Sequence, residues 1–212
     1  MSAEQLQGFF ESTAGQISTV AVILLLFLGI LLSGREKKAD TKAMVTSAVL
    51  VALAIALNHI ILLRMPQGGS ITAFSMLPIV VCAYFFGVRR GLMAGMCVGL
   101  IDLIFNPYVI HPIQMLLDYP LAFGALAFAG LMRKQKFGLM SGYVVGLLGR
   151  YLCAVLSGIV FFGQYAQEGF NAVTWSLYYN LTYLGVEGVL TLIVLSIPTV
   201  RKAIEQLHKQ IA

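Results

Sequence analysis

The sequence predicts an all-α, polytopic membrane helix bundle, and three observations carry that prediction. Hydrophobic residues make up 59% of the 212 and charged residues only 11%, where soluble domains carry roughly a quarter charged residues. Mean hydropathy is +0.88. The apolar residues fall in long runs, as helices require, and not in the short alternating runs of a membrane barrel.

A helix crosses ~30 Å of hydrocarbon with about 20 residues at ~1.5 Å each. Apolar runs lie approximately at 15–33, 43–63, 71–88, 90–105, 111–132, 138–162 and 172–200, which gives seven helices. The third and fourth are short and separated only by GVRRG. The segment MSAEQLQGFFESTAG has two glutamates and no lysine or arginine. It lacks the basic region of a secretory signal, so the first span is expected to be retained.

Charge then sets orientation. Arg35, Lys37, Lys38 and Lys42 lie in 34–42, two arginines in GVRRG, Arg133, Lys134 and Lys136 in RKQKFG, and Arg201, Lys202 and Lys209 in the tail. MPQGGS (with Arg64 just before it) and NPYVIH are free of charge, and GQYAQEGFN carries only Glu168. Basic and non-basic loops alternate over seven spans, so the positive-inside rule predicts an outer N-terminus and a cytoplasmic C-terminus. MPQGGS, NPYVIH and GQYAQEGFN are expected together on the outer face, where their Gly, Pro, Asn, Gln and Tyr make shaped, hydrogen-bonding loops. The net charge of +5 sits in short loops and speaks to orientation, not to nucleic acid. Cys82, Cys97 and Cys153 stand singly in apolar runs and read as small hydrophobes, not as a disulfide framework or a zinc site.

Of the charged side chains, only Asp102, Asp118, Arg150 and Glu187 fall well inside these spans. Each costs about 2.5–3.5 kcal/mol to insert and usually faces a partner or a cavity. Asp118 lies ~10 Å below the outer end of its helix, and Arg150 ~18 Å below Phe162. The reach of an arginine allows an Asp118–Arg150 pair, either as part of a site or as an architectural salt bridge. Asp102 is close to a helix end and is expected to be solvated. Glu187 either pairs with a neighbouring helix or serves a conformational role. Arg150, Ala154, Gly158 and Phe162 share one helix face at steps of four, and Gly158 allows a close approach. Asn180 falls at a depth similar to Asp118, beside Trp175, Tyr178, Tyr179 and Tyr183. Single aromatics near an interface are usually belt anchors. Gathered with an acid, a base and an amide, they point to a pocket for a flat, polar, cationic molecule.

No G-x-x-x-x-G-K-[ST] occurs, so the chain has no P-loop with which to hydrolyse ATP. No H-E-x-x-H or His/carboxylate cluster supports metalloprotease chemistry, and no repeat supports an inverted-repeat transporter. No catalytic residue, metal ligand or cofactor is assigned. Ala48, Ala52 and Ala56 form a small-residue stripe that suits close helix packing in lipid, within the chain or with a partner.

PQGGSI, SMLPI, RRGLMAG, HPIQMLLDYPLAF, GALAFAGL, SGIVFFGQYAQEG and SLYYN, in that order over about residues 43–200, closely resemble the thiamine-specific substrate-binding subunit of energy-coupling-factor transporters. The resemblance implies a six-helix membrane domain over 43–200 that binds thiamine near its outer face. It implies an association with a transmembrane coupling subunit and two cytoplasmic ATPases in a bacterial plasma membrane, which also accounts for the missing P-loop. Residues 1–42 are then an extra helix with a basic cytoplasmic linker, and 201–212 a basic cytoplasmic tail. Asp118 stands where the family has the acid that contacts thiamine, with Tyr119 matching its aromatic neighbour and Tyr108 a tyrosine ten residues upstream. Arg150 takes the place of the basic residue facing that acid, Gly158 a small position, and Asn180 the asparagine of the last helix. Phe162 and Trp175 stand where one form of the pocket has Trp and Tyr, and Ala154 where relatives have a histidine. The alanine stripe corresponds to the docking surface for the coupling subunit. The alternatives are the same fold serving another heterocyclic nutrient or a thiamine precursor, an intramembrane enzyme, or a structural subunit without a ligand.

Overall fold

The computed structural model describes residues 12–33 and 41–211. The acidic N-terminal segment and most of the basic stretch 34–42 lie outside the described residues. Helix α1 spans Thr13–Ser33 and α2 Thr41–Asn58. A hairpin follows, with β1 (Ile61–Arg64) antiparallel to β2 (Ser70–Thr72). Helices α3 (Met76–Phe86) and α4 (Val88–Phe105) meet at Gly87. Helix α5 covers Pro112–Met132, α6 Gly138–Phe161 and α7 Ala172–Ser196; α8 is Pro198–Ile211. By length and apolar composition α2, α5, α6 and α7 each suffice to cross a membrane, and the chain is a multi-pass helical bundle. Its core joins side chains from α2 through α7, among them Ala54, Met76, Val98, Phe123, Tyr143 and Leu184. Helix α1 lies alongside α4 and the first half of α5, an addition to the six-helix core.

Two expected spans change at the hairpin. The run 43–63 is helical only to Asn58, and the run 71–88 only from Met76. Backbone next to lipid needs its polar groups satisfied internally. Here strand pairing satisfies them, together with Glu187 of α7. Its carboxylate accepts from Thr72 N and Thr72 Oγ1, both at 2.9 Å, and from Ser75 Oγ at 3.4 Å. Glu187 is 3% exposed, and its partners belong to the hairpin and the start of α3.

The expected run 172–200 is interrupted as well. Helix α7 stops at Ser196, and Pro198, which has no N–H to donate and a ring that blocks the preceding turn, opens α8 instead of extending α7. The His208 ring on α8 stacks on Phe85, with centroids 5.0 Å apart and planes at 25°. Burial, with help from Arg133, pushes its pKa below the ordinary 6.5.

Helix α5 departs from regular geometry for a reason visible in LDYP. Pro120 removes one donor and excludes the α-helical path behind it. The chain widens into a π-turn over Leu117–Leu121 and later tightens into a 3₁₀ stretch over Leu126–Met132. A second π-turn, Leu181–Gly185, interrupts α7. Such turns cluster at functional sites. Helix α4 touches this irregular backbone directly. A Cβ on Gly95 would strike the carbonyl of Phe123, and one on Gly99 the carbonyl of Tyr119. Overpacking of this kind costs about 1–3 kcal/mol. Gly99→Val is therefore expected to lower the thermal unfolding temperature in detergent, whereas a valine at exposed Ala52 leaves it near wild type.

Candidate ligand-binding site

At the hairpin end of the bundle, α5, α6 and α7 diverge around a cleft of about 650 Å³, part of it open to solvent. Three loops roof it. Gln67, in the hairpin turn, donates its backbone N–H to Tyr179 Oη at 2.8 Å and its Nε2 to the carbonyl of Tyr165 at 3.3 Å. Trp175 Nε1 donates to Gln67 Oε1 at 3.1 Å. Gly68 has φ +95°, and a Cβ there would meet the Tyr108 ring at 2.7 Å. Glycine is required on both counts: it adopts this backbone without strain, and it lets the turn lie on the ring.

The walls are aromatic. Tyr108 and Phe162 are near-parallel, with centroids 6.0 Å apart and planes at 16°. Trp175 and Tyr179 lie 5.8 Å apart, and Tyr179 and Tyr183 6.0 Å apart. The 108–162 pair and the 175–179–183 row come from different parts of the chain and line the same cavity.

The polar floor comes from the two π-turns and from α6. Asp118 Oδ2 accepts from Gln114 Nε2 at 2.6 Å. Gln114 is itself 1% exposed, donates to the Tyr108 carbonyl at 3.0 Å and accepts from Ile110 N at 3.2 Å. Arg150 also lines the cavity, but it makes no ion pair with Asp118. Its guanidinium lies over the Phe123 ring at 3.8 Å, and its Nη1 is buried without a hydrogen bond. The expected Asp118–Arg150 contact is thus replaced by a cation–π contact and an amide–carboxylate bond. A buried amide four residues before the acid on the same helix turn, together with a ring beside the arginine, supplies nearer partners than the arginine itself. The result is an acid and a base facing one cavity with their pairing capacity incompletely used.

Asn180 is held by α6 and by its own helix. Its Nδ2 donates to the Ser176 carbonyl at 2.9 Å and the Ala154 carbonyl at 3.3 Å, and its Oδ1 accepts from Tyr183 Oη at 2.9 Å. Gly158 makes this possible, because a Cβ there would collide with Ser176 Oγ, which donates to the Val155 carbonyl at 2.8 Å. The structure therefore brings Tyr108, Asp118, Tyr119, Arg150, Gly158, Phe162, Trp175 and Asn180 to one cavity. Tyr178 is left outside it, 54% exposed. Sequence reading passed over Gln67, Gln114, Ser157 and Ser176, which also line it; the spacing of four from Gln114 to Asp118 was the available signal. Among the described residues, no group of three His, Cys, Asp or Glu is placed to hold a metal ion.

Ala48, Ala52 and Ala56 are exposed on α2, away from the cavity, while Ala43 and Ala54 on other faces of the same helix are buried. Among the described residues, the stripe does not serve a close contact within the bundle.

Comparison with known proteins places this architecture. The family described as thiamine transporter protein (Thia_YuaJ) matches residues 44–207. The thiamine transporter ThiT of Bacillus subtilis (strain 168) is 37% identical over 164 residues, covering 70% of this chain and 85% of that protein. ThiT of Lacticaseibacillus paracasei is 29% identical over 172 residues, covering 71% and 83%. A solved structure of ThiT from Listeria monocytogenes superposes with a TM-score of 0.61 at 27% identity, over 74% of this chain and 96% of that one. From the helical bundle, the roofed cavity and the match across nearly all of 44–207, it follows that this chain belongs to the thiamine transporter family.

Proposed function

We propose that this chain captures thiamine at the outer face of a bacterial plasma membrane, as the substrate-binding subunit of an ATP-driven energy-coupling-factor importer. Membership of a transporter family makes it a transport protein rather than an enzyme. The observation that carries the reading is one cavity in which the Asp118 carboxylate faces stacked aromatic walls beneath the hairpin. Thiamine joins an aminopyrimidine to a cationic thiazolium. Aromatic faces attract cations, and a carboxylate held by a single amide retains acceptor capacity for the aminopyrimidine or balances the cation.

In this reading the stacked Tyr108–Phe162 pair contacts one ring, Trp175 and the tyrosines of α7 contact the other, and Gln67 closes the hairpin over both. Asn180 and Gly158 shape the wall, and Tyr119 holds the loop that carries Tyr108. Arg150 supplies a nearby positive charge that Asp118 meets through the cavity. The basic ends of the spans lie in the cytoplasm, and the N-terminus lies outside. Having no P-loop, the chain takes its energy from two cytoplasmic ATPases through a coupling subunit. That subunit packs on the exposed Ala48–Ala52–Ala56 stripe, where small residues allow close helix contact in lipid.

Thiamine added to purified protein is expected to quench Trp175, the single tryptophan, saturably. Asp118→Ala removes a charge-assisted bond of about 1.5–3 kcal/mol and should weaken binding about 10- to 100-fold. A response to a precursor without one to thiamine overturns the choice of ligand. Gln67→Ala removes the side-chain bonds to Trp175 and Tyr165. Stopped-flow fluorescence should then show thiamine leaving roughly five- to tenfold faster, the loss of about one hydrogen bond, with association little changed. Ala52→Phe, which adds bulk without a second tryptophan, is expected to leave the titration intact and to abolish uptake by cells that supply the energising subunits.

A further inference from the structure

Asp102 was expected to be solvated, and the structure gives it a different place. It sits in the last turn of α4, where a negative charge is disfavoured by the helix dipole, and it makes no ion pair among the described residues. Instead its Oδ1 accepts from Asn58 Nδ2 at 2.6 Å and from Asn106 Nδ2 at 3.0 Å. Asn58 is the final residue of α2 and is 7% exposed. One carboxylate oxygen thus joins the end of α2, the end of α4 and the start of the 106–111 loop.

That loop has no regular structure of its own. Besides the Asp102–Asn106 bond, two side chains of α5 hold it. Tyr119 Oη donates to the Asn106 carbonyl and accepts from Tyr108 N–H, both at 2.7 Å, and Gln114 grips Tyr108 O and Ile110 N. A continuous series of hydrogen bonds runs from Asn58 through Asp102, Asn106, Tyr119, Tyr108 and Gln114 to Asp118. Tyr108 is the aromatic wall most dependent on it, because its ring stacks on Phe162 and lies under Gly68 while its backbone is loop.

We propose that Asp102 is a positioning residue for the ligand site, holding the Tyr108 loop through Asn106 and the Tyr119 hydroxyl and fastening it to the end of α2. Its role is that of an acceptor and not of a charge. The proposal rests on thiamine as the ligand only for its binding readout.

The test compares Asp102→Ala, Asp102→Asn and Asn106→Ala in the full chain. Thiamine titration by Trp175 fluorescence should show about tenfold weaker binding for Asp102→Ala and binding within about twofold of wild type for Asp102→Asn, which keeps a carbonyl acceptor. Asp102→Ala combined with Tyr119→Phe should bind no more weakly than Tyr119→Phe alone, since both act on one path. Amide exchange of the ligand-free protein supplies a second readout, faster over residues 106–110 in Asp102→Ala and Asn106→Ala and unchanged in Asp102→Asn. Should Asp102→Ala fail to fold, Asn106→Ala, which leaves the Asp102–Asn58 bond in place, decides the matter by exchange. Wild-type exchange in the alanine variants, an Asp102→Asn variant as impaired as Asp102→Ala, or additive losses in the double variant would overturn the proposal. If the wild-type protein itself does not bind thiamine, the ligand assignment falls and the exchange measurements still judge Asp102.

Discussion

The bond between Gln114 and Asp118 is the interaction on which the site depends. A carboxylate inside a lipid-embedded bundle must be compensated, and here one buried amide bonds one of its oxygens at the edge of the cavity. The same amide grips the loop that carries Tyr108. The acid is therefore placed by the same side chain that places one of the aromatic walls, and neither shifts without the other. Arg150 contributes a second uncommitted charge from the facing helix, held by a ring rather than by the acid. Two charges kept apart across a cavity leave more for a ligand to satisfy than two charges already joined.

The second theme is how irregular backbone is tolerated within the bundle. Where a carbonyl or N–H leaves the helical ladder, a side chain from another element meets it: Glu187 for the strand at Thr72, Tyr119 for the loop at Asn106 and Tyr108, and Tyr179 for the turn at Gln67. Buried polar residues that looked like isolated liabilities in the sequence are the partners of nearby non-helical segments.

Much of this was legible in the sequence, and the parts that were not have physical causes. Long apolar runs located α5 and α6 almost to the residue, because in lipid composition and length alone define a span. The hairpin was hidden because ILLR continues the apolar run of the helix before it, and a hydropathy reading cannot separate a short apolar strand from a helix end. Asp118, Arg150 and Asn180 stood out because a polar residue in an apolar run is costly. Gln114 did not, because an uncharged amide near a predicted helix end attracts no such notice. The expected Asp118–Arg150 pairing failed because depth along two helices fixes height and not azimuth. Two stripes of the same spacing also met opposite fates. Gly91, Gly95 and Gly99 are buried against neighbouring helices, and Ala48, Ala52 and Ala56 face outward. Spacing says that a close contact is allowed; it does not say with what.

The paired π-turns bear on how such a site could arise. A π-turn holds one residue more than an α-turn, and each α-helical residue advances ~100° about the axis. A single inserted codon in a straight ancestral helix would thus rotate everything beyond it by more than a quarter of a circle, while the far half kept its own packing. Asp118 and Tyr183 both sit on such a seam. The chemistry of the cleft and the anchoring of the lower bundle are in this way decoupled, so that one can be remodelled by small insertions while the other stays in register.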